Sequence, residues 1–273
     1  MEELSILLKK HGFGFKKQYG QNFLTDTNLL DAIVRDAGVD KDTVVLEIGA
    51  GAGALTRALS KAAKRVVSYE IDKSLQPVLA ESLAGCDNVE VVFRDFQREN
   101  LKELEKELGP YRVVANLPYY VTTPVVMRFV EEAQNCLGIT VMVQAEVAER
   151  FSARPATPEY GAVTAAIARK GECTIVRRVP RTMFYPRPNV DSAIVRADFS
   201  ERIPVKSVKA YRDVVRAAFA SRRKTFENNL MTTFRLSREQ AKALLARAEI
   251  PDGVRGETLS PETFARLADI IAE

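Results

Sequence analysis

The sequence predicts an α/β fold: a seven-stranded, mostly parallel sheet within residues 1–200, followed by a small all-α domain over residues 201–273. Three observations predict it. From Thr43 to Phe199, short apolar, β-branched runs alternate with segments of helical spacing. A glycine-rich turn, Gly49-Ala50-Gly51-Ala52-Gly53, stands where the first of those runs gives way to a helix. After Ser200 the strand-like runs stop, and apolar residues recur every three and four positions.

In chain order, residues 1–25 are a lead-in, ending in Gln21-Asn22-Phe23-Leu24 before a helix capped by Asp26 or Thr27. The strands follow as Thr43 to Ile48, Arg65 to Tyr69, Val89 to Phe93, Arg112 to Ala115 and Ile139 to Val143. Helical segments such as Leu101 to Leu108 separate them, which is repeated βαβ. Helical stretches near Val147 to Phe151 and Val163 to Lys170 precede two further strands, Cys173 to Val179 and Ser192 to Phe199. The last domain holds four helices, Lys206 to Ala220, Lys224 to Phe234, Arg238 to Ala248 and Pro261 to Ala272.

Composition removes several classes of function. At 273 residues with 46% hydrophobic content the chain can bury a real core. No run of about 18 apolar residues appears and the first residues lack a basic-then-apolar leader, so a cytoplasmic protein with no membrane partner is expected. Three widely spaced cysteines support neither a disulfide framework nor a metal site, and a single histidine, His11, leaves no Ser-His-Asp or Cys-His pair. Residues 201–273 hold 14 Lys or Arg against 10 Asp or Glu, and this quarter carries the entire net charge of +4. Within it, Arg222, Arg223 and Lys224 form a cluster that is either a solvated basic face or, with Lys16 and Lys17, a grip on RNA phosphates.

The glycine turn lets a backbone approach a nucleotide-like ligand at a helix N-terminus. Gly49, Gly51 and Ala54 also satisfy the spacing of an NAD site, with Glu70 about 20 residues on, so spacing alone leaves NAD open. Glu70 and Asp95 end consecutive strands and suit the two ends of an adenosine, the ribose hydroxyls and the adenine amine. Asn116-Leu117-Pro118-Tyr119 ends the fourth strand with an amide, a free carbonyl, a proline and an aromatic face, groups that suit a flat nucleobase such as adenine.

Acids at the first three strand ends, Glu47, Glu70 and Asp95, followed by Asn-Leu-Pro-Tyr at the fourth, resemble the class I, Rossmann-like, S-adenosylmethionine-dependent methyltransferases, and the fourth motif resembles their N6-adenine branch. With Gln21 to Leu24, Phe184-Tyr185-Pro186-Arg187-Pro188-Asn189-Val190-Asp191-Ser192, Arg222 to Thr225, Asn228 to Leu230 and Leu259 to Glu262, nearly the whole chain is similar to the bacterial 16S rRNA adenine N6,N6-dimethyltransferases. The resemblance implies S-adenosylmethionine as cofactor. Its implied substrate is a pair of adjacent adenines near the 3′ end of 16S rRNA, in an immature small ribosomal subunit. By the same resemblance Asn22 and Leu24 hold the methionine end of the cofactor, Gly49 and Gly51 are where the protein backbone approaches it, Glu70 takes the ribose and Asp95 the adenine. Asn116 faces both cofactor and target, with Leu117, Pro118, Tyr119 and Phe184 around the target base. Gln18-Tyr19 and Phe96 depart from the family pattern at the edges of the site.

Three other functions stay open at this stage: N6-methylation of large-subunit (23S) RNA, a ribosome assembly factor that mainly docks to the immature subunit, and an NAD-linked oxidoreductase. The last leaves Asn116 to Tyr119 and the C-terminal domain without a role. A monomer is the default expectation.

Overall fold

The computed structural model describes residues 2–16 and 19–273. Its strands are β1 Phe23–Leu24, β2 Val44–Ile48, β3 Arg65–Tyr69, β4 Val89–Val92, β5 Tyr111–Asn116, β6 Cys136–Gln144, β7 Cys173–Val179, β8 Phe184–Tyr185 and β9 Ser192–Asp198. The helices are α1 Glu2–Lys10, α2 Thr27–Asp36, α3 Ala54–Ala62, α4 Gln76–Ser82, α5 Leu101–Leu108, α6 Thr122–Glu132, α7 Ala145–Phe151 and α8 Ala162–Lys170, then α9 Val208–Phe219, α10 Phe226–Phe234, α11 Arg238–Arg247 and α12 Pro261–Ile271. Seven strands form one sheet in the order β4-β3-β2-β5-β6-β9-β7. The pairs from β4 through β6 are parallel and β9 runs antiparallel to β6, with Ser192 opposite Gln144. Strand order reverses between β2 and β5, so the carboxyl ends of β2, β3, β4 and β5 frame a crevice of the kind in which doubly wound sheets bind ligands.

The central strands are apolar because both faces are covered: Val45, Leu46, Val66, Val113 and Val114 are all buried. The expected cap of α2 is Asp26, whose carboxylate accepts from the Leu29 N–H at 2.8 Å. Two features outside the sheet bear on the site. Phe23 and Leu24 of β1 pair antiparallel with Tyr185 and Phe184 of β8. In the segment before them, Phe13, Phe15 and Phe23 form an aromatic cluster, and Phe15 meets Tyr185 edge-on at 5.5 Å.

The chain divides into two compact units, residues 1–148 with 174–198 and residues 149–173 with 199–273. This corrects the expected division at residues 200 and 201. Tyr160 and Ala165 join the core of the second unit with Tyr211, Val214, Phe226 and Phe264, and the Tyr211 hydroxyl donates to the Ala165 carbonyl at 2.7 Å. Residues 149–173 read as part of the βα alternation because α8 precedes a strand, yet the apolar partners of that helix lie in the C-terminal helices. No described helix is long and apolar enough to cross a membrane. Among the described residues no cluster of His, Cys, Asp and Glu could hold a metal ion.

Candidate active site

A cavity of about 200 Å³ opens at the carboxyl ends of β2, β3 and β5, lined from the glycine turn, Glu70, Asp95, Asn116 to Tyr120, the Gly20 to Leu24 segment and Phe184. At one end Glu70 is buried, and its two oxygens divide the backbone between them: Oε2 accepts from Gly51 N–H at 2.9 Å and Oε1 from Asp72 N–H at 2.8 Å. Each oxygen keeps a further acceptor position. Burial pushes the carboxyl above its ordinary range, and those two N–H groups oppose the shift. Gly49, at φ +87°, has room for a Cβ only 3.6 Å from the Asn116 carbonyl, so a side chain there would fill the turn that a ligand must approach. Gly51 answers to packing: a Cβ there would sit 3.1 Å from the Phe23 ring. Gly51 also lines the cavity.

Asp95 lies three residues beyond the end of β4, where its Oδ1 accepts from Gln97 N–H at 3.0 Å and caps a single 3-10 turn, Phe96–Arg98. Its other oxygen lies 3.5 Å from Arg98 Nε, and the residue lines the cavity. Glu47, the third strand-end acid, does not line the cavity. It is fully buried in β2, where Oε2 accepts from Thr56 Oγ1 and Ser68 Oγ, each at 2.6 Å, and Oε1 has no hydrogen-bond partner among the described residues. Burial pushes its carboxyl up to about 7 against the pull of those two hydroxyls.

At the other end, Asn116 closes β5 and its Nδ2 donates to the Asn22 carbonyl at 3.1 Å. A carbonyl can only accept, so the amide nitrogen must face Asn22 and Oδ1 is left to the cavity. Asn22 in turn closes its own turn through Nδ2 to the Gly20 carbonyl at 3.0 Å. The Leu117 carbonyl accepts no hydrogen bond among the described residues, although the Leu117 side chain is buried. Two acceptors therefore remain unoccupied on consecutive residues. Pro118 receives Val121 N–H and Thr122 Oγ1 on its carbonyl, turning the chain into α6. Tyr119 is half-buried with its hydroxyl 2.9 Å from Ser192 Oγ, and Tyr120 stands 57% exposed over Gly20. Phe184 is only 3% exposed and packs with Leu24 and Ile194, so it forms a wall of the cavity more than an open stacking face. Leu24 is buried in the same cluster and lines the same wall.

The cations expected to grip RNA fall into two groups. Lys16 Nζ is bound to the buried Asp72 carboxylate at 2.6 Å and to Ser74 Oγ at 2.9 Å, and Gln21 donates to the other oxygen of Asp72 at 2.8 Å. Burial would raise the Asp72 carboxyl, but these bonds outweigh it and hold the group below its usual range. Lys16 is thus a tether of the lead-in rather than a free cation, and Lys17 lies outside the described residues. Arg222 is also occupied, donating to the Pro158 and Tyr160 carbonyls at 2.8 and 2.7 Å. Arg223 and Lys224 are exposed and, among the described residues, make no ion pair; Glu227, the nearby acid, pairs with Arg238. The sequence offered no sign of Asp72, Ser192 or the Asn22 carbonyl. A buried acid next to a strand end and a serine opening an otherwise apolar strand are the only traces they leave.

A mostly parallel sheet with this strand order, an acid beyond β3 holding the glycine turn, and a cavity at the switch point are the architecture of a class I S-adenosylmethionine-dependent methyltransferase. The family model for ribosomal RNA adenine dimethylase matches residues 12–273. The ribosomal RNA small subunit methyltransferase A of Enterococcus faecalis is 46% identical over 275 residues, 97% of this chain and 93% of that protein. Its counterpart from Bacillus licheniformis is 44% identical, covering 98% and 94%. Among solved structures, the 23S rRNA methyltransferase ErmE superposes with a TM-score of 0.70 at 30% identity, over 92% of this chain and all of that one. A dimethyladenosine transferase from Plasmodium falciparum has the same fold, with a TM-score of 0.77 at 23% identity over 90% of this chain and 95% of that one. The chain belongs to the ribosomal RNA adenine dimethylase family. It is an S-adenosylmethionine-dependent rRNA adenine N6-dimethyltransferase.

Proposed function

We propose that the substrate is a pair of adjacent adenines near the 3′ end of 16S rRNA, within an immature small ribosomal subunit, and that the enzyme acts as a cytoplasmic monomer. Identity near 45% along the full chain to small-subunit enzymes, against 30% to a large-subunit one, supports that choice. S-adenosylmethionine supplies a methyl group on a positively charged sulfur. Glu70 would hold its ribose, Asp95 its adenine amine and the Asn22 to Leu24 segment its methionine end, with the protein backbone approaching the cofactor closely at the Gly49 turn.

The observation that carries the mechanism is the Asn116 amide fixed by the Asn22 carbonyl, followed in the chain by the unbonded Leu117 carbonyl. Adenine N6 is a poor nucleophile because its lone pair is delocalised into the ring. Two acceptors that take both N6 hydrogens favour a tetrahedral nitrogen, aim its lone pair and stabilise the positive charge that develops there. The Asn22 carbonyl sets Asn116 in advance of substrate, so orientation costs little during the reaction. The methylated amine is acidic enough to lose its proton to water, which agrees with a cavity that contains no histidine. Tyr119 offers the stacking face, Phe184 the wall behind the base, and Pro118 a rigid turn between them. An unpaired adenine enters such a site at less cost than a stacked one. Arg223 and Lys224 would contact RNA phosphates.

Mass spectrometry of rRNA from cells with and without this protein tests the reading. Dimethyladenine in small-subunit RNA should depend on the chain, whereas dependence confined to large-subunit RNA would replace the proposed substrate.

A further inference from the structure

We propose that Ser192 is a positioning residue for methyl transfer, its buried hydroxyl setting the plane of the Tyr119 ring against the target adenine; this rests on Tyr119 being the stacking face. The Tyr119 hydroxyl and Ser192 Oγ lie 2.9 Å apart, and each is the other's only side-chain hydrogen-bond partner among the described residues. Ser192 is 1% exposed. A hydroxyl buried at the head of a strand costs free energy unless it is bonded, and an alanine would fill the same place without that cost.

The anchor is itself held on both sides. Ser192 opens β9 opposite Gln144 of β6, the Asp191 carbonyl accepts from Ala145 N–H at 3.0 Å, and the Asp191 carboxylate accepts from Arg181 N–H at 2.9 Å. Tyr119, by contrast, sits in the short segment between β5 and α6. A ring in that segment would be free to change rotamer if it were attached only at its Cα. The bond to Ser192 gives it a second fixed point on the sheet. A phenylalanine would stack on a base as well as a tyrosine does, so stacking leaves the phenol unexplained and anchoring accounts for it. Held rings place the base, and placing the base within reach of the reacting methyl is worth rate more than binding.

The test is a double-mutant cycle on Ser192→Ala and Tyr119→Phe with small-subunit particles as substrate. Each single variant should lose about three- to tenfold in kcat, with a smaller change in KM for the particle. The double variant should lose no more than either single one, because both remove the same bond. S-adenosylmethionine affinity by calorimetry should be unchanged throughout. Wild-type kcat in Ser192→Ala, or losses that multiply in the double variant, would overturn the proposal. Should Ser192→Ala fail to fold, Tyr119→Phe decides alone, since it leaves the serine in place and wild-type kcat in it refutes the anchor. Tyr119→Ala separates the two layers: a crippled Tyr119→Ala beside an inert Ser192→Ala rejects the anchor only, while an inert Tyr119→Ala removes the stacking reading as well.

Discussion

At the proposed cofactor end of the cavity the groups arrive in simple succession, the glycine turn after β2, Glu70 after β3 and Asp95 beyond β4, while at the proposed target end they converge from Asn116 to Tyr119 and Phe184, held from behind by Asn22 and Ser192. The first end is a product of sheet topology, since each parallel strand delivers its last residue to the same edge. The second depends on long-range pairing, β1 with β8 and β9 with β6, and on single bonds such as Asn116 to Asn22. Two ends built so differently should fail separately, one in binding and one in rate.

The largest effect belongs to the target end. Asn116→Ala should lower single-turnover methyl transfer by about two orders of magnitude, the scale of a lost electrostatic stabiliser, with a much smaller change in RNA affinity. A loss of cofactor binding as large as the loss of rate would erase the distinction between the ends. At the cofactor end, Glu70→Ala should weaken S-adenosylmethionine binding by roughly 1 to 3 kcal/mol in calorimetry. Unchanged affinity in both Glu70→Ala and Asp95→Ala would reject their placement on the cofactor.

Glu47 sharpens the comparison within one end, because it shares its strand-end signature with Glu70 and is sealed from the cavity. Its carboxyl titrates near 7 in the folded chain against an ordinary 4.5. Between those values the folded state binds more protons than the unfolded one, so stability falls as pH rises through that window and levels off above it. The loss should be on the order of 2 kcal/mol, and denaturant melts of Glu47→Gln across pH 4.5 to 7.5 should lack it. An identical pH slope in that variant would mean another group carries it.

The smallest effect is expected furthest from the chemistry. Replacing Arg223 and Lys224 together by Ala should flatten the log-log salt dependence of particle binding by roughly two units and leave S-adenosylmethionine affinity intact. Arg222→Ala should behave differently, lowering the melting temperature through its lost bonds to Pro158 and Tyr160 while the salt slope stays. If Arg222→Ala changes the slope and the other pair does not, the grip has been assigned to the wrong cations.

The same contrast governs how much of the molecule is legible in its amino-acid sequence. The seven sheet strands, the four last helices, the glycine turn and the Asn116 to Tyr119 segment announce themselves through period, punctuation and residue type within a few positions of one another. β1 and β8 are two residues each, too short for any period, and exist only because they find one another. Lys16 and Arg222 look like free cations until Asp72 and two backbone carbonyls are brought against them. Ser192 reads as a small residue at a strand start, since nothing nearby in sequence reveals that Tyr119 ends above it. Residues 149–173 follow the rhythm of the first unit and take their apolar neighbours from the second.

The antiparallel contact of β1 with β8 also bears on how the enzyme comes into being. Thr25 leaves the ribosome early and Met183, whose carbonyl it binds, follows 158 residues later. Ser192 and the rest of β9 come later still. Until Met183 emerges the nascent chain therefore carries its glycine turn and strand-end acids without the partner that closes the lead-in over them. The Phe184 wall of the cavity is among the last parts of the first unit to be made, and a chain released before β9 has an unpaired edge on β6 in place of a finished pocket.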